Sequence, residues 1–237
     1  GPESHPWLSE DERQYILTGQ KNAETNEAAT YAPNSGEILS RKESWGVIMA
    51  SFFLDPIWWL FVGWLPLYLF ETYGFGVEEI ATYAWVPYVG AMFGAWFGGI
   101  LAGRLIKSGW TVNKTRKLVI ALGGLIMLVS LLLTIVAASP LIAVLLMAAI
   151  LFGFQTAVGN IQTLPSDFYS GKSVASLAGF AGTAAKLAVV GLNFLIPVIT
   201  VNSYAPAFAV GAGLAIMTVL SVLVLCTDIK PLKPKNS

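Results

Sequence analysis

After Ser44 the chain is a succession of six apolar stretches, at 45–70, 80–103, 118–139, 141–164, 173–200 and 204–227. Each has the ~20 residues that a helix needs to cross the hydrocarbon core of a bilayer. Short turns holding Gly, Pro or charged residues separate them. Lipid offers no water to an unpaired backbone, so long apolar spans without a strand alternation must be helices. The expected fold is therefore an all-α membrane protein with six transmembrane helices. Composition agrees, since 55% of residues are hydrophobic and 12% charged, where a soluble domain carries about 25% charged.

The expected organisation is a polar lead-in over 1–44, a six-helix transmembrane domain over 45–227 and a short tail over 228–237. Within the lead-in, Ser9 followed by Glu10, Asp11 and Glu12 is a capping-box pattern and predicts a short amphipathic helix to about Gln20. Lys21 to Gly36 is rich in Asn, Ala, Thr and Glu, with Pro33 and Gly36, and reads as a flexible linker. No signal peptide is apparent, and the chain opens on Gly1 rather than Met, which suggests either a fragment or a processed chain.

Charge placement predicts orientation. If the lead-in is cytoplasmic, every one of the fourteen Lys and Arg residues except Lys186 falls on the cytoplasmic side, in the lead-in, the inner loops and the tail. The outer loops carry Glu71, Glu78 and Glu79 and no basic residue. That is the positive-inside pattern, with both ends cytoplasmic.

Several function classes are disfavoured. The formal net charge of zero provides no basic surplus for nucleic acid. The single cysteine, Cys226, supports neither a disulfide framework nor a metal site. No His/Asp/Glu cluster or Ser–His pair falls within the spans, and the lone His5 is in the lead-in, so neither a metal, a cofactor nor an enzyme is expected.

Polarity is uneven among the spans. The third and sixth are almost wholly aliphatic and are expected to face lipid. The first, fourth and fifth carry polar groups at depth, which is costly unless a partner or water meets them. Lys186 lies about 20 Å along the fifth span, on a stripe with Gly179, Thr183 and Asn193. A lysine there costs roughly 2.5–3.5 kcal/mol on insertion scales, so it should face a cavity or pair with a carboxylate. A structural ion pair with Asp55, in the first span beside Pro56, is the alternative to a substrate-facing lysine, and Trp58 and Trp59 follow on the Asp55 face. These indoles suit either interface anchoring or the walls of a sugar site. In the fourth span, Gln155 and Gln162 share one face, and Thr156, Asn160 and Thr163 form a second stripe. The amides are either glue between helices or ligands for hydroxyl groups. Gly90, Gly94 and Gly98 form a small-residue stripe that invites close helix approach, expected at a seam between halves of a larger bundle.

The loop after the second span reads Gly99-Ile100-Leu101-Ala102-Gly103-Arg104, then Lys107, Gly109, Lys114, Arg116 and Lys117. It resembles the signature loop of the major facilitator superfamily, Gly-x-Leu-(small)-Asp-Arg-x-Gly followed by Arg and Lys, with Gly103 in place of the acid. Asp55-Pro56-Ile57-Trp58-Trp59, Trp64-Leu65-Pro66, the loop from Arg104 to Lys117 and the lead-in His5-Pro6-Trp7-Leu8-Ser9-Glu10 are similar to segments of the anion:cation symporter family, and within it of bacterial hexuronate transporters. The resemblance runs over nearly the whole chain. It implies helices seven to twelve of a twelve-helix fold in the bacterial inner membrane, with a six-helix N-terminal half beyond this sequence. It also implies proton-coupled uptake of a sugar acid such as galacturonate or glucuronate by alternating access. On that reading Asp55, Trp58, Trp59, Gln155, Asn160 and Lys186 line the substrate cavity. Lys186 takes the carboxylate, and Gly99, Arg104, Gly109, Arg116 and Lys117 form a conformational-switch loop. Other carboxylates, including aldonates and glucarate, remain alternatives, as does a six-helix homo-oligomeric channel or scaffold.

Overall fold

The helix expected after Ser9 forms, and its cap is reciprocal. Ser9 donates its backbone N–H to Glu12 Oε2 at 3.0 Å, and the Glu12 N–H donates to Ser9 Oγ at 3.3 Å. The computed structural model describes residues 6–27 and 33–233; His5, the middle of the expected linker and the last residues of the tail lie outside them. Helix α1 runs Glu10–Glu27, past the expected end at Gln20, because no Gly or Pro interrupts residues 20–27. The Glu12 carboxyl is held below its ordinary value of 4.5 by the Ser9 backbone N–H and then by the Ser9 hydroxyl. A depressed carboxylate stabilises the fold above its unfolded pKa and stops doing so as pH falls through the folded value. Acidification below about 4.5 is therefore expected to fray the start of α1. NMR secondary shifts of residues 10–13 should drift toward coil in the native chain and show no such titration in Glu12→Gln.

A short helix, α2 (Ser35–Leu39), is capped by Asn34, whose Oδ1 accepts the Glu37 N–H at 2.9 Å. The membrane helices follow: α3 (Lys42–Tyr73), α4 (Val77–Tyr83) leading into α5 (Val86–Lys107), α6 (Val112–Ile135), α7 (Pro140–Phe168), α8 (Lys172–Ile199) and α9 (Ala205–Leu220), the last extended by a π turn to Leu225. Among the described residues, six helical segments are long and apolar enough to cross a membrane. This is a multi-pass membrane protein. The second span was expected to be one helix; instead it breaks at Ala84–Trp85, just before Pro87. Proline lacks an N–H and crowds the preceding turn, so it starts α5 rather than continuing α4. The fourth span was expected to stop at Leu164. It continues through Pro165 to Phe168, and the Tyr169 N–H closes the last turn on the Pro165 carbonyl at 2.9 Å.

Helices α3 and α7 form the centre. Against them pack α8 on α3, α5 on α7, and α6 and α9 behind, with α6 contacting α7 and α9 contacting both α6 and α3. The core between them holds Leu54, Ile57, Phe61, Met127, Leu131 and Ile150, all buried. The exposed faces of α6 and α9 are aliphatic, with Leu125, Val129 and Leu132 on one and Ile216, Leu220 and Leu223 on their continuation. That is the surface a lipid-facing helix requires. The least buried spans, however, are the second and fifth.

The glycine stripe does not lie at a seam with a further half. Gly94 and Gly98 are buried against α7, where a methyl built on Gly98 would sit 2.7 Å from the Thr156 carbonyl oxygen. The stripe is spent inside this bundle: small residues let the two backbones touch, and Thr156 Oγ1 donates across the contact to the Gly94 carbonyl at 3.2 Å.

Candidate functional site

The chain enters α3, α6 and α8 at one end of the bundle, which carries Arg104, Lys107, Lys114, Arg116, Lys117 and Lys172. The opposite end carries Glu71, Glu78 and Glu79. These are the basic and acidic ends.

On α8 the residues Leu177, Ala181, Ala185, Val189, Leu192 and Ile196 are buried against α3. Gly179, Thr183, Lys186 and Asn193 are exposed, so the two stripes separate as a 3.6-residue period demands. Where the exposed edge meets α3, Lys186 Nζ lies 2.6 Å from Asp55 Oδ2 and 5.3 Å from the centroid of the Trp59 ring. Both charged groups are about 20 Å along their helices, near the middle of the spans. The Lys186 side chain is 62% exposed and that of Asp55 25%. The pair is thus open rather than sealed in protein. Asp55 lowers the cost of the cation, while the exposed side of the ammonium stays available to a second anion. Nearer the acidic end, Trp64 Nε1 donates to Asn193 Oδ1 at 3.3 Å, a second polar rung between α3 and α8.

From this pair a cavity of about 470 Å³ extends between α3, α7 and α8, and its polar lining is Ser51, Asp55, Gln162 and Lys186. Aliphatic residues such as Val47, Leu54, Val158 and Ala181 form the rest of its wall. That volume lies within the ordinary range for small-molecule sites. A second cavity of about 430 Å³, at the acidic end, holds Glu71, Asn202 and Tyr204 but no cation among its lining residues. Of these two, the mid-span cavity is the one with a cation in its wall.

Not every expected residue reaches it. Asp55, Trp59 and Lys186 are brought together. Trp58 turns to the other side of α3, where its ring packs 5.3 Å from Phe154 and 6.0 Å from Tyr88. Gln155 is half-buried on the α7 face that also carries Val158, Gly159 and Gln162, but it does not line the cavity; Gln162, exposed and two turns nearer the basic end, does. Asn160 is buried at 3% exposure and faces away: its Oδ1 accepts from Arg116 Nη1 at 3.0 Å, and its amide donates to the Thr156 carbonyl.

The Arg116 contact reveals a residue that the sequence reading missed. Arg116 Nε donates to Asp167 Oδ2 at 2.9 Å, with both side chains mostly buried. Asp167 continues the stripe Thr156, Asn160, Thr163 at helical spacing. Extending α7 past Pro165 would have placed it in the last turn of that helix, on the stripe that faces Arg116. Elsewhere in this loop, Gly109 takes φ +92°, open to glycine at no steric cost, and lets the Trp110 N–H reach the Leu105 carbonyl at 3.0 Å. Gly99 and Arg104 are exposed, and Lys117 Nζ donates to the Thr227 carbonyl at 2.7 Å. Arg116→Ala leaves Asp167 without its cation and Asn160 without a donor. A loss of about 2–3 kcal/mol in unfolding free energy is expected, part of which Arg116→Ala/Asp167→Ala should recover. Denaturant unfolding in detergent measures both.

A family model described as "Major Facilitator Superfamily" matches residues 6–192. The chain belongs to the major facilitator superfamily. Its curated relatives include the "Hexuronate transporter" of Escherichia coli K12, 31% identical over 229 residues, which are 95% of this chain and 52% of that protein. The "Galacturonate transporter" of Dickeya chrysanthemi is 36% identical over 129 residues, 54% of this chain and 37% of the relative. The "Probable anion transporter 2, chloroplastic" of Oryza sativa subsp. japonica is 28% identical over 193 residues, 80% of this chain and 36% of the relative. The chain spans at most about half the length of these curated relatives. These relatives are named as transporters. The Arg104–Lys117 segment, with Arg116 clasped by Asp167, is the part of this superfamily chain that resembles its signature loop.

Proposed function

We propose that the complete protein, with a further six-helix half, carries a sugar-acid anion such as galacturonate or glucuronate across a bacterial inner membrane, by proton symport with alternating access. Both ends of this chain are then cytoplasmic and the basic end of the bundle faces the cytoplasm, following the positive-inside pattern. The observation that carries the reading is the open Lys186–Asp55 pair at mid-span depth on a cavity of small-molecule size. A cation placed in the membrane at such cost is worth keeping where it binds an anion. The names of the relatives, hexuronate and galacturonate transporters, supply the cargo class.

The cargo carboxylate competes with Asp55 for the Lys186 ammonium, and the ring lies near Trp59 and the aliphatic wall. Asp55, displaced from its partner, is the proton acceptor within this chain. The Arg104–Lys117 loop and the Arg116–Asp167 clasp hold the cytoplasmic ends of α5, α6 and α7 in one arrangement, and rocking of the halves releases them.

A competition panel tests this. Cells carrying the full-length transporter should take up labelled galacturonate, and unlabelled sugar acids should suppress that uptake while the neutral parent hexoses do not. Equal suppression by galactose would remove the carboxylate from recognition and with it the role of Lys186.

A further inference from the structure

We infer that Gln162 reads the hydroxyl groups of the cargo while Lys186 holds its carboxylate, so that specificity among ring acids is set on α7 at the basic side of the ion pair. This deepens the anion reading and rests on it. Among the described residues, the cavity beside Lys186 has four polar lining side chains. Asp55 and Lys186 are engaged with each other, and Ser51 is a single short hydroxyl one helical turn before Asp55. Gln162 is the remaining one, exposed and, among the described residues, without a side-chain hydrogen-bond partner.

Geometry brings the two long side chains toward one ligand. Lys186 is about 21 Å from the basic end of α8, and Gln162 is about 9 Å from the basic end of α7, by 1.5 Å per residue. The interval along the bundle is roughly 12 Å. Helix side chains tilt toward their own N-terminus. Helix α8 starts at the basic end and α7 at the acidic end, so Lys186 leans toward the basic end and Gln162 toward the pair. They converge across that interval and leave room for one ring between them. An amide both donates and accepts, so it engages a hydroxyl of either orientation, whereas the surrounding Val158, Ile161 and Ala185 do neither.

The test uses the full-length transporter and three competitors of labelled galacturonate: galacturonate itself, glucuronate, and cyclohexanecarboxylate, which keeps ring and carboxylate but has no hydroxyl. Gln162→Met preserves side-chain length and removes the amide. It should weaken both hexuronates about fivefold or more, the size of one hydrogen bond, and leave cyclohexanecarboxylate unchanged. Gln162→Asn, which retains the amide on a shorter stem, should fall between. Lys186→Ala should weaken all three. If the ratio of hexuronate to cyclohexanecarboxylate inhibition is unaltered in Gln162→Met while Lys186→Ala abolishes uptake, Gln162 is overturned and the anion reading stands. A shift of that ratio in Gln155→Ala but not in Gln162→Met overturns it equally. Unchanged competition in Lys186→Ala removes the anion site, and Gln162 falls with it.

Discussion

Lys186→Ala in the complete transporter is expected to reduce uptake of acidic sugars at least about a hundredfold, the loss of one charge-assisted contact of about 3 kcal/mol or more. Two effects act in the same direction. The variant removes the cation, whose side chain is 62% exposed, and leaves Asp55 at the cavity without its counter-charge. A lone carboxylate in a site with mostly aliphatic walls repels the incoming anion as well as failing to bind it. Lys186→Arg keeps the charge but replaces a compact ammonium with a planar fork; partial uptake is expected. Asp55→Asn/Lys186→Ala removes both charges and should restore expression without restoring transport. Initial rates of labelled galacturonate uptake, normalised to membrane-inserted protein, read each case. Wild-type rates in Lys186→Ala would sink the assignment.

Gly94→Leu is expected to prevent the bundle from assembling. Gly94 and Gly98 lie on α5 where its backbone meets that of α7 at Phe152 and Thr156. A branched side chain there has no flexible neighbour to displace, only main chain. Helix α5 must move off α7 and lose the Thr156–Gly94 hydrogen bond. Overpacking costs 1–3 kcal/mol where side chains can yield, so a backbone collision should cost at least about 3 kcal/mol. Gly63→Ala is the control, since a methyl on Gly63 meets nothing within 4 Å. The readout is the fraction of detergent-solubilised protein that elutes as a single folded species. Equal yields for Gly94→Leu and Gly63→Ala would mean that the α5–α7 contact is not tight in the membrane.

The six spans were legible from the sequence because hydropathy and backbone hydrogen bonding act locally: a 20-residue apolar run in lipid has one solution. The Lys186 stripe was legible from its period, and Asp55 was legible as one of two ways to meet that charge, since an isolated charge at depth restricts its partners to the few opposite charges at matching depth; the structure shows the pair. Helix ends were less so. Pro87 broke the second span and Pro165 did not end the fourth, because a proline near a helix end costs little and the neighbouring turns decide.

What the sequence by itself determined is how many times the chain crosses, which end is basic and which helical face of α8 is polar. Those follow from period and composition. Only the tertiary structure decided which polar residues meet: that Gln162 rather than Gln155 lines the cavity, that Asn160 turns away to Arg116, and that the glycine stripe is used up against α7. Residues on one helix share a face by periodicity, but the direction of that face depends on how its neighbours rotate to bury their small and aliphatic sides. That rotation comes from packing among several helices at once, and no single span encodes it.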